Sequence, residues 1–315
     1  MKKTIFITLI TLFILKLTAG AQEFLNPSGT YLFEKRDTCD LFMDIYYPAA
    51  GSETKINGME KPTVIFMFGG GFITGERDNE SYNTWFRQLT ENGYGVVSID
   101  YRLGLKGSNK VGVAQANLLD KAIHMAVEDL FSATNFIIEN ADELKINPKN
   151  LVISGSSAGA ISVMQAEYEI ANQTSWAKVL PEGFNYVGVM SFAGAIFSRE
   201  GKVDFRQNPC PVMMLHGTAD SIVPYEQIAI LNLGFFGGGK LVDRFKKYDL
   251  NYNMFHFIDY GHEIASSMDT TLDLQIKFME NNVMQNKKRI IESWISDPDI
   301  KKGSSLKSRK DIYGN

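Results

Sequence analysis

Short apolar runs alternate with longer helical patterns along most of this 315-residue chain. Several runs, such as 63–68 (TVIFMF) and 187–192 (VGVMSF), are apolar at nearly every position, as in strands that are buried on both faces of a sheet. Strands that alternate with helices predict a mostly parallel central sheet with helices on both faces, an α/β fold. Because such sheets bind ligands beyond the carboxyl ends of their strands, we expect the chemistry directly after the apolar runs.

The individual elements follow from the spacing of apolar residues. The predicted strands are 41–47, 63–68, 95–99, 151–154, 187–192, 212–215 and 254–258. The predicted helices are 80–92, 113–140, 158–171, 240–248 and 264–284. The first run alternates apolar and polar residues, which favours an edge or antiparallel strand.

Three segments divide the chain. Residues 1–21 combine a basic start, an apolar run and small residues, which predicts a signal peptide that is cleaved after Ala21 and hence a secreted or periplasmic protein. A retained membrane anchor is the alternative, but the apolar run is shorter than the ~20 residues of a normal span. Residues 22–290 are interpreted as one α/β domain, and 291–315 as a polar tail, either a frayed end or an interaction segment.

Charge and cysteine content narrow the possible partners. The formal net charge is −4, and losing 1–21 would remove three lysines and no acid, so we expect no nucleic-acid partner and no stable membrane attachment. Cys39 and Cys210 either pair or stay as isolated thiols, and the spacing leaves this open. No H-E-x-x-H or repeated CxxC pattern occurs, so no metal or other cofactor is expected.

Residues 155–159 (GSSAG) fit the pattern G-x-S-x-G, with Ser157 at the centre, between a predicted strand and a predicted helix. A nucleophile on such a turn has a strained backbone, and side chains two positions away would collide where the strand and the helix approach each other. Gly155 and Gly159 remove those side chains. The pattern therefore predicts that Ser157 projects above the sheet as a nucleophile.

A second glycine-rich segment, 68–72 (FGGGF), directly follows the strand 63–68. Glycines expose backbone N–H groups that can stabilise a developing oxyanion, and the loss of one such donor typically costs ~10²–10³ in rate. The alternative interpretation is a flexible turn.

A nucleophilic serine needs a base, and the base needs an acid that orients it. Of the four histidines, His124 falls in a helical pattern and His256 inside a strand, whereas His216 and His262 follow strands. The loop with His262 comes after the last predicted strand. Asp220 is the preferred acid, and Asp259 competes because it is close to His262 in sequence. The chain order Ser157, Asp220, His262 is the one expected of a serine nucleophile on this kind of turn.

These motifs together resemble the α/β-hydrolase superfamily, in its esterase and lipase branch with a GGG oxyanion loop. The resemblance covers about 41–284 and includes FGGGF, residues 100–103 (DYRL), GSSAG, residues 216–224 (HGTADSIVP) and residues 261–263 (GHE). It implies Ser157 as nucleophile, His262 as base and Asp220 as orienting acid. It also implies an oxyanion hole formed by the backbone N–H groups of Gly70, Gly71 and Ala158.

The expected function is therefore serine-dependent hydrolysis of a carboxylic ester, with a small molecule or a glycan ester as substrate. Removal of acetyl or feruloyl groups from carbohydrates is one expectation, and residues 171–186 and 222–240 are expected to line the pocket. A serine exopeptidase is the first alternative, since HGTAD also resembles prolyl-peptidase catalytic domains. A non-catalytic binding module on a hydrolase fold is the second.

Residues 234–240 (GFFGGGK) match the phosphate-binding pattern G-x-x-x-x-G-K, but Leu241 stands where Ser or Thr would bind Mg²⁺. We interpret the segment as a flexible loop that leads into a helix.

Overall fold

The computed structural model describes residues 24–107 and 116–303, and within them the chain forms fourteen strands and six α-helices. The strands are β1 Gly29–Arg36, β2 Cys39–Tyr46, β3 Lys55–Ile56, β4 Met59–Glu60, β5 Thr63–Met67, β6 Gly95–Ile99, β7 Leu151–Ser156, β8 Gly188–Phe192, β9 Ala195–Ser198, β10 Val212–Gly217, β11 Gln227–Ile230, β12 Leu233–Gly237, β13 Tyr252–Phe257 and β14 Ile291–Ile295. The helices are α1 Asn83–Glu91, α2 Ala116–Glu139, α3 Ala141–Leu144, α4 Ala158–Ala171, α5 Gly238–Lys247 and α6 Leu272–Phe278.

Nine strands form one sheet in the order β1-β2-β6-β5-β7-β8-β10-β13-β14. Pairing is antiparallel at β1–β2 and β2–β6 and parallel at the other six contacts, so β2 alone among these described strands runs against the rest. This confirms the predicted mostly parallel sheet and the antiparallel strand near residue 41. The strands at the centre, β6, β7, β8, β10 and β13, are buried at every position, which explains their continuous apolar sequences.

Helices cover both faces of the sheet. The connection from β5 through α1 to β6 and the connection from β6 through α2 to β7 run in opposite directions along the sheet. Because such crossovers are right-handed, α1 and α2 lie on opposite faces. Helix α4 packs beside α2, and α6 packs beside α1. The arrangement confirms the α/β-hydrolase fold expected from the resemblance.

Aromatic packing fixes α1 on its face of the sheet. Trp85, Phe86 and Leu89 recur at helical spacing on α1 and are buried. The ring of Phe66 on β5 meets Trp85 and Phe86 edge-on, with ring centroids 5.0 and 5.5 Å apart. Each such pair contributes about 0.5–1.5 kcal/mol beyond the burial of its area. The amphipathic pattern of the helix is therefore matched by a complementary aromatic surface on the strand.

Three expectations about individual segments differ from the structure. The segment 291–315 was expected to be a polar tail, yet Ile291–Ile295 is strand β14, which pairs in parallel with β13. Its residues alternate between half-buried and exposed, so the sequence lacks the apolar run of a central strand. The segment 234–240 is not a loop, because β12 pairs with β9 and β11 and α5 begins at Gly238. The helix expected over 264–284 consists of a 3₁₀ turn, α6 and a π turn.

The signal peptide predicted at 1–21 lies outside the described residues. Within 24–107 and 116–303, no helix has the length and apolar content to cross a bilayer. The same residues contain no cluster of three His, Cys, Asp or Glu side chains that is arranged to hold a metal ion. Cys39 is exposed and Cys210 is buried, and both thiols are free.

Candidate active site

Three loops at the carboxyl edge of the sheet carry the residues singled out from the sequence. Ser157 follows β7, Asp220 follows β10 by three residues, and His262 follows β13 by five. Only β8 separates β7 from β10, and β13 is the next strand after β10. Because parallel strands end at the same edge, the sheet brings together side chains that are far apart in sequence.

Ser157 has a strained backbone conformation, with φ 51° and ψ −113°. Gly155 and Gly159 are required around it. A Cβ on Gly155 would lie 2.3 Å from the Gly159 carbonyl carbon, and a Cβ on Gly159 would lie 2.0 Å from the Met67 carbonyl oxygen. The strand, the turn and the helix therefore approach more closely than any side chain allows, as the pattern G-x-S-x-G predicts.

The side chains of Ser157, His262 and Asp220 form a continuous hydrogen-bonded chain. Ser157 Oγ lies 2.7 Å from His262 Nε2, and His262 Nδ1 lies 2.8 Å from Asp220 Oδ2. A carboxylate oxygen can only accept a hydrogen bond, so Nδ1 carries the imidazole proton and Nε2 accepts the serine hydroxyl. This tautomer leaves His262 ready to take a proton from Ser157.

Asp220 is held as an anion. Burial raises the pKa of its carboxyl, but hydrogen bonds and charges from His216 and His262 outweigh burial and hold the pKa well below its usual range. Oδ1 accepts the backbone N–H groups of Ile222 and Val223 at 2.8 and 3.0 Å. The loop therefore fixes the orientation of the carboxylate as well as its charge.

The competing candidates lie elsewhere. Asp259 is exposed, and no hydrogen bond joins it to His262 within the described residues. His124 interacts with Asp120 and Glu169, which raises the pKa of its imidazole to about 9 even though burial opposes this. His256 is buried in β13, where its ring stacks on Trp294.

The glycine loop lies directly beside the serine turn. A Cβ on Gly69 would lie 3.3 Å from the Ser157 Cβ. The Gly69 N–H donates to the Tyr82 hydroxyl at 3.2 Å, so this amide is engaged. Gly70 and Gly71 have φ values of 128° and 64°, which L side chains rarely adopt. The loop conformation therefore depends on the glycines.

The amides of Gly70, Gly71 and Ala158 donate no hydrogen bond within the described part of the chain. Ala158 is the first residue of α4, where a helix leaves its N–H groups without internal acceptors. Backbone amides that are free of internal acceptors can receive a negatively charged oxygen.

Asp100 and Arg102, which belong to the DYRL motif of the resemblance, are engaged away from Ser157. Arg102 contacts Asp129 on α2, and Asp100 pairs with Arg77 and accepts the Phe42 N–H. Both side chains therefore tie loops and helices together. His216, the remaining histidine, lies 3.4 Å from Asp220 Oδ2 through its Nε2, a contact that the sequence did not predict.

Comparisons with known proteins agree with this architecture. The BD-FAE family model matches residues 43–178, which include the glycine loop and Ser157 but neither Asp220 nor His262. Gut esterase 1 of Caenorhabditis briggsae is 32% identical over 108 residues, which are 33% of this chain and 18% of the esterase. A non-reducing polyketide synthase of Emericella nidulans is 30% identical over 132 residues, 42% of this chain and 5% of the synthase. The matches thus span less than a fifth of either relative.

Solved structures extend the likeness to most of the fold. A propionate-bound esterase of the Planctomycetes species Thermogutta terrifontis covers 80% of this chain and 93% of its own, with a TM-score of 0.56 and 21% identity. The same enzyme phosphoramylated by tabun gives a TM-score of 0.57 at 19% identity, over 81% of this chain and 95% of its own. The sheet order, the serine turn and these matches show that the chain has an α/β-hydrolase fold and is similar to esterases with that fold.

Proposed function

We propose that the chain is a serine carboxylic-ester hydrolase in which Ser157 is the nucleophile, His262 the general base and Asp220 the orienting acid. The observation that carries the proposal is the unbroken hydrogen-bonded chain of 2.7 and 2.8 Å that joins the three side chains. Similarity to esterases in sequence and fold supports the same reaction class.

The reaction follows from the positions of the protons. Ser157 Oγ attacks the ester carbonyl carbon while its proton passes to His262 Nε2. The imidazolium then donates that proton to the leaving alcohol as the carbon–oxygen bond breaks and an acyl-serine remains. Water, deprotonated by the same nitrogen, attacks the acyl-serine, and the proton returns to Ser157 Oγ as the acid leaves. The ionised Asp220 stabilises the imidazolium that forms in each half of the reaction.

We assign the oxyanion hole to the backbone N–H groups of Gly70, Gly71 and Ala158. Their freedom from internal acceptors and the proximity of the loop to Ser157 support this assignment. Three preorganised donors would stabilise the tetrahedral intermediate, in which the carbonyl oxygen becomes negative.

The proposed substrates carry short acyl groups. The structural neighbour from Thermogutta terrifontis has been solved with propionate and with butyrate, and such short acids are the products that esters of this class would release. We extend the proposal to acetyl or feruloyl esters of carbohydrates, which an enzyme in the periplasm or outside the cell would meet. The export proposed from residues 1–21 supports this extension.

The first experiment measures p-nitrophenol release from acetyl, butyryl and octanoyl esters by the wild type and by Ser157→Ala. Activity that favours short chains and is lost in the variant supports the proposal. If a folded wild type hydrolyses none of these esters but cleaves a dipeptidyl amide, we would assign the same triad to peptide hydrolysis instead. Acetylated and feruloylated oligosaccharides, offered next, test the carbohydrate extension separately.

A further inference from the structure

A second imidazole contacts the triad carboxylate. His216, the penultimate residue of β10, is 1% exposed, and its Nε2 lies 3.4 Å from Asp220 Oδ2. The same nitrogen lies 3.1 Å from the Val223 carbonyl oxygen. On the other side of the ring, Nδ1 lies 3.3 Å from the backbone nitrogen of Gly238.

These contacts fix the tautomer of His216. The backbone N–H of Gly238 can only donate, so Nδ1 must accept and carries no proton. A neutral imidazole then has its proton on Nε2, which faces two acceptors, Asp220 Oδ2 and the Val223 carbonyl. The ring is therefore a neutral donor toward the carboxylate.

With His216, donors lie beside both oxygens of Asp220. Oδ1 accepts two backbone N–H groups of the loop, and Oδ2 faces both His262 Nδ1 and His216 Nε2. A buried carboxylate with donors beside both of its oxygens keeps one rotamer and stays ionised. Loss of the His216 donor leaves the negative charge of Asp220 less stabilised and allows its carboxylate to rotate.

The other titratable groups around His216 are few. Tyr225 packs edge-on against its ring at 5.6 Å between centroids, and His256 is its register partner on β13. The Tyr225 hydroxyl lies 2.6 Å from His256 Nδ1, and Lys246 and Glu292 act on His256 through their charges. Asp220 is thus the acid that faces His216 directly.

We propose that His216 is a positioning residue that holds Asp220 through its Nε2 proton, so that Asp220 in turn holds His262 in the reactive tautomer. The proposal rests on the function proposed above. A matched pair of variants separates the two sides of the ring. His216→Gln places an amide N–H near the former Nε2, whereas His216→Asn keeps an acceptor near the former Nδ1 and lacks the distal donor.

We expect His216→Asn to lower kcat on p-nitrophenyl butyrate by roughly 10-fold with KM little changed, because one hydrogen bond in the reacting network is lost. The acid limb of its kcat/KM profile should move up by about half a pH unit, since Asp220 with fewer donors attracts the imidazolium proton more strongly. His216→Gln should retain most of kcat and the wild-type profile. His256→Asn, in register on the next strand, is the control and should leave kcat unchanged.

If His216→Asn stays active and His216→Gln is impaired, the important contact of the ring is the one to the Gly238 N–H. That result would overturn the proposal. Equal activity of all the variants would also overturn it. Nitrogen-15 NMR of the wild type, labelled at its four histidines, tests the tautomer of His216 directly. This measurement needs no variant and does not depend on activity. We expect the imidazole assigned to His216 to be neutral near neutral pH, with a proton on Nε2 and a bare Nδ1. Assignment of His216 as the other tautomer, or as a cation, would contradict the proposal.

Discussion

Gly159 lies directly over the end of strand β5, where a Cβ on Gly159 would be 2.0 Å from the carbonyl oxygen of Met67. We expect Gly159→Ala to prevent folding or to lower Tm by about 10 °C or more, because neither backbone can move without breaking the sheet. Differential scanning calorimetry of the variant and the wild type measures the difference in Tm.

Gly51→Ala is the matched control for that change. Gly51 has a positive φ of 83°, which the helical Gly159 does not, and no atom lies within 4 Å of its added Cβ. Only backbone strain of about 1–2 kcal/mol is expected there. Similar losses in the two variants would mean that the collision at Gly159 costs no more than backbone strain at an open site, which would contradict the prediction.

Loss of any member of the triad should cost most of the activity. We expect Ser157→Ala and His262→Ala to lower kcat by about 10⁴–10⁶-fold, and Asp220→Asn by about 10⁴-fold. The double variant of Ser157 and His262 should be no slower than either single variant, because the residues act as a unit. Additive losses in that double variant would argue against a shared proton path.

Tyr82 should set the position of the oxyanion loop, because its hydroxyl accepts the Gly69 N–H at 3.2 Å. We expect Tyr82→Phe to lower kcat roughly 5–10-fold with little change in KM. A loss of this size corresponds to the free energy of about one hydrogen bond. Affinity for a trifluoromethyl ketone, which forms a tetrahedral adduct, should fall in parallel. Tyr94→Phe, which removes a buried hydroxyl without a partner in the described structure, is the control and should keep kcat.

Glu167 should make stability depend on pH. Burial raises the pKa of its carboxyl to about 7, although the Cys210 N–H, 2.7 Å from Oε1, opposes this. A raised folded-state pKa gives stability that is fully present below the ordinary value of 4.5 and is lost as pH rises through about 7. We expect Glu167→Gln to unfold at a higher temperature than the wild type at about pH 8, and the difference to vanish near the ordinary pKa of the group.

The control for this prediction is Glu182→Gln, which changes an exposed carboxyl. Its melting temperature should follow that of the wild type at every pH. If Glu167→Gln shows no advantage above neutral pH, the Glu167 carboxyl does not titrate as proposed.

Ser157 should react with organophosphates if it is the activated nucleophile that we propose, because its hydroxyl lies 2.7 Å from the base His262. We expect paraoxon to abolish activity in a time-dependent reaction and to add one diethylphosphoryl group to the peptide that contains Ser157, as read by mass spectrometry. Ser156→Ala should still react, because the Ser156 hydroxyl is engaged with the Ala265 carbonyl at 2.7 Å. Modification of Ser157→Ala at the same rate would place the reactive group elsewhere.

The sequence by itself predicted the central strands and the serine turn. Strands such as β6 and β8 lie within the sheet and are buried on both faces, so their sequences are continuous apolar runs. The glycine pattern around Ser157 is also readable from the sequence, although only Gly155 answers a steric demand inside the turn, whereas Gly159 makes room for Met67 on β5. Strands β1 and β14 at the edges were missed because a half-exposed strand needs no apolar run and is defined by its partner.

Only the tertiary structure decided which side chains meet. Asp220 and Asp259 both follow strands near a candidate histidine, and the parallel order of β10 and β13 brings the Asp220 carboxylate to His262. The contact between His216 and Asp220 likewise depends on the way the loop turns back over its own strand. Apolar patterning records burial residue by residue, whereas a hydrogen bond between distant loops exists only when the whole sheet has fixed their separation and direction.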